Sequence, residues 1–534
     1  MIAVKALLET QPRRTGRWIP AAAGLVAVGV AIAVAELLSA LGRWFTWFGE
    51  PSSPLTSLAN GFIELTPGWL KNWAVGVFGV HDKTALAIGM GVVLLALAAT
   101  LGWFWSRSRA LGGAVLAVLC VIVMAAVLTR TGVRPTDLIP TLLGAALGLL
   151  VLRGTTAGRG STDPEDRRRV LTTIGWSAAA AVVTGLLTRL VPDTARVEAS
   201  REAVTVPEIP DTVTGSVTAP APAVTEPQIP AGADLHIDGL ASYLTPATDF
   251  YRIDTAFLPP QLRAEDWSLH VHGMVAKEIT INFAELQARQ LEQHMVTLTC
   301  VSNEVGGDLI GNASWTGARL DALLAEAGPA EGADCVLSTS VDGFTCTTPL
   351  AVLTDGRDAL LAFGMNGEPL PVEHGFPVRM VVPGLYGYVS ATKWVTDLQV
   401  TRFADVTAYW TERGWAPQGP IKTASRIDVP RSPAQFSEGE QVTIAGVAWA
   451  QHRGIESVQV QINDGPWLRT DLGAVASVDT WRQWRMTWTA TGVGNHRVRC
   501  RAVDGTGTVQ TSVVADPAPN GASGYHAINI QITG

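Results

Sequence analysis

Charge is what this chain of 534 residues is shortest of. Asp, Glu, Lys and Arg make up 16% of it, against about 25% in ordinary soluble domains, and its mean hydropathy is +0.23. That average excludes a wholly soluble protein. A basic excess is missing too: the net charge is −8, so nucleic acid is not an expected partner. Cysteine is rare, with 5 in all, which excludes a disulfide-dense scaffold. No Cys-x-x-Cys-His occurs, and His81 is the only histidine before residue 192. Neither covalently attached haem nor a bis-histidine haem between spans is therefore expected in this chain.

What is present is unevenly placed. Apolar runs fill residues 1–192 and stop near 191. Segments Ile19–Leu41, Ala85–Trp105, Ala110–Leu128, Val133–Leu152 and Leu171–Val191 approach the roughly 20 residues that cross a bilayer. Together they predict an α-helical membrane domain of about five spans in contact with lipid. Trp18, Trp44, Trp47, Trp103 and Trp105 suit the headgroup layer, and Trp69–Val80, too short to span, is expected at the interface. Lys and Arg number 11 on one side of this arrangement and 5 on the other. That bias puts the N-terminus in the cytoplasm and everything after residue 191 outside, in a multi-pass protein of the cell membrane. Arg167-Arg168-Arg169-Val170-Leu171 before the last run fits the twin-arginine export pattern; ordinary positive-inside charge explains it equally. Glu36, a carboxylate within a strong span, is either a transport residue or a partner of Arg43. Gly144-xxx-Gly148 predicts close helix packing.

Residues 193–232 are rich in Pro, Thr, Val and Ala and predict an extended tether. From 233 to 415 short apolar runs alternate with turns: strands are expected at Val296–Thr299, Val336–Ser340, Val378–Val382 and Val395–Thr401, and helices at Phe283–Ala288 and Ala318–Ala327. This is an α+β domain. Residues 416–534, with strands expected at Gln441–Ala448, Ile455–Gln461, Trp481–Thr489, His496–Val503 and Ala527–Thr533, predict an all-β, immunoglobulin-like sandwich.

The cysteines divide by setting. Cys120 lies mid-span and Cys500 alternates within a strand, both as packing. Cys335 and Cys346 flank the turn Ser340-Val341-Asp342-Gly343, so a disulfide and two free thiols are both open. Cys300 ends a strand and opens the polar turn Val301-Ser302-Asn303-Glu304-Val305-Gly306-Gly307. A thiol at such a position is placed as a soft metal ligand or nucleophile must be, although an inert role has equal weight on spacing alone.

Several stretches carry a resemblance: Phe250-Tyr251-Arg252-Ile253-Asp254; Leu298-Thr299-Cys300-Val301-Ser302-Asn303; Leu361-Ala362-Phe363-Gly364-Met365-Asn366-Gly367-Glu368-Pro369-Leu370; and His374-Gly375-Phe376-Pro377-Val378-Arg379, followed by Val382-Pro383-Gly384-Leu385-Tyr386-Gly387 and Lys393-Trp394. In this order they resemble the sulfite oxidase family of molybdenum-cofactor (molybdopterin) oxidoreductases, over residues 245–534. The membrane part lies outside the resemblance.

The resemblance implies that Cys300 is the thiolate ligand of molybdenum, beside the pterin dithiolene. It implies that Tyr251, Arg252, Asn303, Asp342, His374, Arg379 and Lys393 bind the cofactor, with Arg252 also catalytic. It further implies oxygen-atom transfer on a small molecule, a separate electron-transfer partner, and dimerisation through the C-terminal sandwich, which the tether and membrane domain would oppose. Two departures bear on substrate. Glu304 and Val305 follow Asn303 where the family carries a basic residue, and the family's active-site tyrosine falls at Trp415, counted from Trp410. A carboxylate there repels sulfite, so a neutral oxo-acceptor or oxo-donor is the better expectation. The alternative is a catalytically silent surface-binding or sensor protein that reuses the fold, against which Cys300 argues. Replacing Arg167-Arg168 with Lys-Lys is expected to trap the later domains inside the cell, as localisation by protease accessibility would report; unchanged export would leave those arginines as ordinary positive-inside charge.

Overall fold

The computed structural model describes residues 18–45, 47–67, 70, 82–130, 133–156, 164–190, 193–207 and 229–534. His81, the N-terminal basic residues up to Arg17, most of Trp69–Val80 and the greater part of the expected tether lie outside those residues. The chain divides into two compact units, Met1–Ala195 with Thr255–Leu258, and Arg196–Asp254 with Pro259–Gly534.

The first unit is helical: α1 (Trp18–Trp44), α2 (Pro54–Leu65), α3 (Asp82–Arg107), α4 (Arg109–Leu128), α5 (Ile139–Thr156) and α6 (Pro164–Leu190). Among the described residues, four stretches are long and apolar enough to cross a membrane: Ile19–Trp44, Thr84–Arg107, Arg109–Leu128 and Pro135–Thr155. They coincide with the first four expected spans. The fifth falls in α6, where the side chains at 164–167, 169–171 and 186–190 lie outside the description. Small residues let the helices approach closely. A Cβ on Gly144 would run into the Ala31 carbonyl of α1, and one on Gly148 would meet that of Ala27. Glu36 accepts from Ser53 Oγ and from the Leu55 amide at 2.8 Å, so its carboxylate caps the start of α2. That is a structural use of the carboxylate.

The second unit, from Arg196, opens within α7 (Asp193–Ala203). Here the expected extended tether is corrected. The segment DTARVEASREA is made largely of good helix formers, and Val197 and Val206 are buried in the unit's core.

Ten strands follow: β1 (Ser268–Gly273), β2 (Ile279–Asn282), β3 (Leu291–Thr299), β4 (Ile310–Arg319), β5 (Cys335–Ser340), β6 (Thr345–Pro349), β7 (Leu360–Met365), β8 (Glu368–Pro369), β9 (Arg379–Val381) and β10 (Val395–Thr401). One sheet has the order β2-β1-β10-β5-β6, and the other β3-β4-β7-β8 with β9 on β7. β1 and β10 run parallel. Helix α8 (Phe283–Gln287) starts at a capping box in which Asn282 and Glu285 serve each other's amides. Helix α9 (Leu320–Ala327) buries Leu320, Leu323, Leu324 and Ala327 and ends at Gly328, φ +68°. The spacing i, i+3, i+4, i+7 explains its buried face, and the left-handed glycine its end. Its start is later than expected, because Ala318 and Arg319 still pair with β7.

The remaining strands, β11 (Ala424–Val429), β12 (Ala434–Ser437), β13 (Gln441–Trp449), β14 (Ile455–Ile462), β15 (Leu468–Arg469), β16 (Asp471–Leu472), β17 (Arg482–Thr489), β18 (Gly494–Asp504) and β19 (Ala527–Thr533), form sheets β11-β13-β17-β16 and β12-β19-β18-β14-β15. Their inner residues, among them Ile444, Trp484, Val460, Val498 and Ile530, share one core.

All five cysteines are free, which corrects the disulfide alternative for Cys335 and Cys346. In the β5–β6 register Cys346 faces Ser338 and Cys335 faces Pro349, so the two thiols are not opposite one another. Trp267 and Trp315 are almost wholly buried, and each indole N–H donates to a carbonyl, Val395 O at 2.7 Å and Val296 O at 3.1 Å. A Cβ at Gly317 would strike the Leu361 carbonyl of β7. Gly317→Ala is therefore expected to destabilise the second unit by about 1–3 kcal/mol; thermal unfolding checks this, and an unchanged Tm would contradict it.

Candidate functional site

The site is built where β3 ends. Residues 296–299 are buried on both faces of the strand, so the chain delivers Cys300 inside the unit with 8% of its surface exposed. The turn that follows is closed by its own backbone. Cys300 N donates to Leu309 O at 3.0 Å, and Asn303 N to Cys300 O at 3.1 Å. Asn303 Oδ1 accepts from the Leu309 amide at 2.9 Å, so this expected cofactor contact spends its oxygen on the loop. Ser302 N points at Cys300 Sγ, 3.4 Å away. Burial pushes the Cys300 thiol up, with the Ser302 amide pulling the other way.

Tyr251 links this thiol to the other expected residues. Phe250 stacks on Tyr251 with ring centroids 5.2 Å apart and meets Trp315 and His374 edge-on. Burial raises the Tyr251 phenol, reinforced by nearby Cys300 and opposed by Arg379, so Tyr251 lies beside both. Arg379, 5% exposed, donates to His374 O at 3.0 Å and Met380 O at 3.4 Å. Its guanidinium lies 4.9 Å from the Trp315 ring centre. Among the described residues no carboxylate is paired with it, and burial lowers it to about 10. His374 Nε2 sits 2.9 Å from Ala247 O. Burial, then the charge of Arg379, lowers this imidazole to about 4. It is neutral at pH 7, so Nε2 carries the proton toward that carbonyl and Nδ1 is left as an acceptor.

A second group of charges adjoins the first. Asp254, whose side chain is 3% exposed, accepts from Arg252 Nε and from Lys393 Nζ, each at 2.9 Å. Lys393 Nζ also donates to Glu373 O at 3.1 Å. Asp342 accepts from the Phe344 amide at 3.2 Å; burial raises it, and it feels both Asp254 and Lys393. All eight residues expected from the sequence thus lie in one connected neighbourhood.

Sequence reasoning missed Asp254, Tyr386 and the far wall of the adjoining cleft. A signal for Asp254 was present: it stands two residues beyond Arg252 in the same short motif. Tyr386, 5% exposed, is raised to about 12 by burial, with a further upward push from Cys300. With Thr299, Asn303, Glu304, Val305 and Gly306 it lines a cleft whose other side is Thr423, Ser425, Trp449, Gln510 and Ser523 of the C-terminal region. Nothing local in those late segments marks them as lining. Trp415, the residue standing in the family's tyrosine position, packs against Trp410 and Tyr388 at 6.3 and 5.9 Å. Tyr388 donates to Ala416 O at 2.6 Å.

Within the same unit the structure thus holds a buried thiol, a buried guanidinium with no carboxylate partner among the described residues, and two cations balanced by Asp254. Residues 256–410 match the family described as oxidoreductase molybdopterin binding domain. The chain is 31% identical over 172 residues to the uncharacterized oxidoreductase YuiH of Bacillus subtilis, covering 32% of this chain and 83% of that one. It is 29% identical over 345 residues to the mitochondrial sulfite oxidase of Mus musculus, covering 54% of this chain and 62% of that one. The sulfane dehydrogenase SoxCD of Paracoccus pantotrophus aligns in structure with TM-score 0.47 and 22% identity, over 59% of this chain and 92% of that one. The chain belongs to the sulfite oxidase family of molybdenum–molybdopterin oxidoreductases. It spans less than two thirds of the length of the mammalian sulfite oxidases it matches.

Asp254→Ala removes the carboxylate that neutralises Arg252 and Lys393. Breaking one partner out of a buried pair costs about 3–5 kcal/mol, less here because Arg252 is 35% exposed. The variant is expected to melt lower, while Asp254→Glu recovers part of the loss; thermal unfolding of both checks it.

Proposed function

We propose that this chain is a membrane-anchored oxidoreductase that binds molybdenum–molybdopterin through the Cys300 thiolate and carries out oxygen-atom transfer on a small uncharged molecule. Arg379 is the observation that carries this reading. A guanidinium that is 5% exposed and has no paired carboxylate among the described residues fits an anionic group brought in from outside. A planar fork of donors suits a phosphate or a dithiolene sulfur, and Arg252 and Lys393 supply further positive charge beside it.

When bound, that group supplies two-electron oxygen-atom transfer. The chain's own residues do the rest. Cys300 loses its proton to become a soft ligand, a change coupled to metal binding. Phe250 and Trp315 wall the site with rings, and neutral His374 contributes an acceptor at Nδ1. Glu304, lining the adjoining cleft, disfavours a dianion such as sulfite and leaves neutral oxo-donors or oxo-acceptors favoured.

The Lys/Arg bias of the loops supports a cytoplasmic N-terminus, an extracytoplasmic second unit and a cell-membrane location. The absence of a haem-attachment motif from the sequence supports a separate electron-transfer partner. The two-sheet C-terminal region is read as the family's immunoglobulin-like dimerisation domain, on the resemblance.

Cys300→Ser is expected to fold, as circular dichroism reports, and to lose oxygen transfer and bound molybdenum. Retained turnover would overturn the ligand assignment. Metal analysis of the purified wild-type chain is expected to give near-stoichiometric molybdenum; its absence would leave the fold a binding module.

A further inference from the structure

We propose that His270, His272 and Asp397 form a second metal site, at the surface of the β2-β1-β10 sheet, that takes a divalent transition ion of the zinc or copper type. The placement follows from strand geometry. Residues two apart on a strand share a face, so both imidazoles of the His-x-His in β1 rise from one side. The parallel neighbour β10 puts Asp397 in register with His270. His272 Nε2 lies 3.0 Å from Asp397 Oδ2, and His270 Nδ1 lies 3.8 Å from the same oxygen. One donor atom from each of the three residues falls within a 4.8 Å span.

The geometry suits a metal: the two rings stack at 4.6 Å and 9°, and each turns a nitrogen toward the same Asp397 oxygen. A divalent ion satisfies both lone pairs and the carboxylate together. Glu278 Oε2 lies 3.4 Å from His270 Nε2, on the nitrogen turned away from Asp397. A carboxylate on the far nitrogen is the usual orienting partner of a ligating histidine. Among the described residues no lysine or arginine pairs with any of these four side chains.

The other His-carboxylate group differs on this last point. Glu292, His294 and Asp358 also converge, but Arg319 Nη1 lies 3.1 Å from Glu292 and 3.4 Å from Asp358, so a guanidinium already supplies that group's positive charge. Two imidazoles and one carboxylate, partly exposed, suit borderline ions and leave a coordination position for water.

The test uses the tag-free full chain in detergent, with molybdenum content measured first, chelator-washed and titrated with Zn²⁺ by calorimetry and with Cu²⁺ by electron paramagnetic resonance. The expected result is uptake of one Zn²⁺ per chain and a Cu²⁺ spectrum with nitrogen hyperfine structure. Both are expected to vanish in a His270→Gln, His272→Gln double variant whose circular dichroism is native. Glu278→Gln is expected to weaken Zn²⁺ by about tenfold, whereas Glu292→Gln leaves it unchanged. Zn²⁺ uptake equal in the wild type and the double variant, or Cu²⁺ without nitrogen coupling, would overturn the proposal.

Discussion

Arg379 is a full positive charge, 5% exposed, held by two carbonyls and an aromatic face instead of a carboxylate. Removing a charge from water costs several kcal/mol even after relaxation, and carbonyl dipoles with a ring quadrupole recover only part of that. The fold must therefore hold the guanidinium in place by other means, and its rigidity can be traced. β9, which starts at Arg379, pairs with β7 at Ala362. Trp315, whose ring the guanidinium faces, is fixed by β4 and by its indole bond to Val296 O on β3. β3 in turn delivers Cys300. The strands that bury the charge are the same strands that place the thiol.

The two groups of charge are handled differently. Arg252 and Lys393 converge on Asp254, so that part is balanced within the chain. The Arg379 part is not balanced by any carboxylate among the described residues, and the Cys300 thiol is pushed toward its neutral form by burial. Under the proposed reading, an incoming group that is both anionic and metal-bearing would resolve both conditions together: it would pair the guanidinium and make the thiolate the stable form.

Much of this was legible in the sequence, and the failures have specific causes. β19 falls where alternation put it, because one face is buried and the period of two survives; β10 keeps its expected bounds although a register shift between Val395 and Asp397 breaks its alternation. β4 and β7 were missed: every residue of β7 and all of β4 but Arg319 is buried, and a strand covered on both faces has no alternation to read. The apolar spans were visible by length alone. α7 was masked by the Pro-rich chain after it, which dominated the composition of the window. The expected site residues could be named only through the family resemblance that their short motifs carry. Asp254 was passed over within such a motif, since one carboxylate two residues from an arginine reads as an ordinary surface pair until its 3% exposure is known. The cleft's far wall could not be read at all, because Thr423 and Gln510 lie more than a hundred residues from the Asn303–Gly306 turn and share a cleft with it only through tertiary packing.

That wall bears on what the proposed enzyme would accept. Thr423, Ser425, Gln510 and Ser523 are uncharged, and Glu304 is the charged residue lining the cleft. Two unit charges about 4 Å apart interact by about 1 kcal/mol in water-like surroundings and about 4 kcal/mol with the screening typical of a protein surface. Glu304 is exposed, so the lower figure applies. A dianion doubles it to about 2 kcal/mol, roughly a thirtyfold penalty at 25 °C. An uncharged substrate meets no such penalty, and the uncharged wall offers it hydroxyl and amide partners. The positive charge deeper in the site does not reverse this preference under the proposed reading, because the cofactor's own anionic groups are what that charge serves.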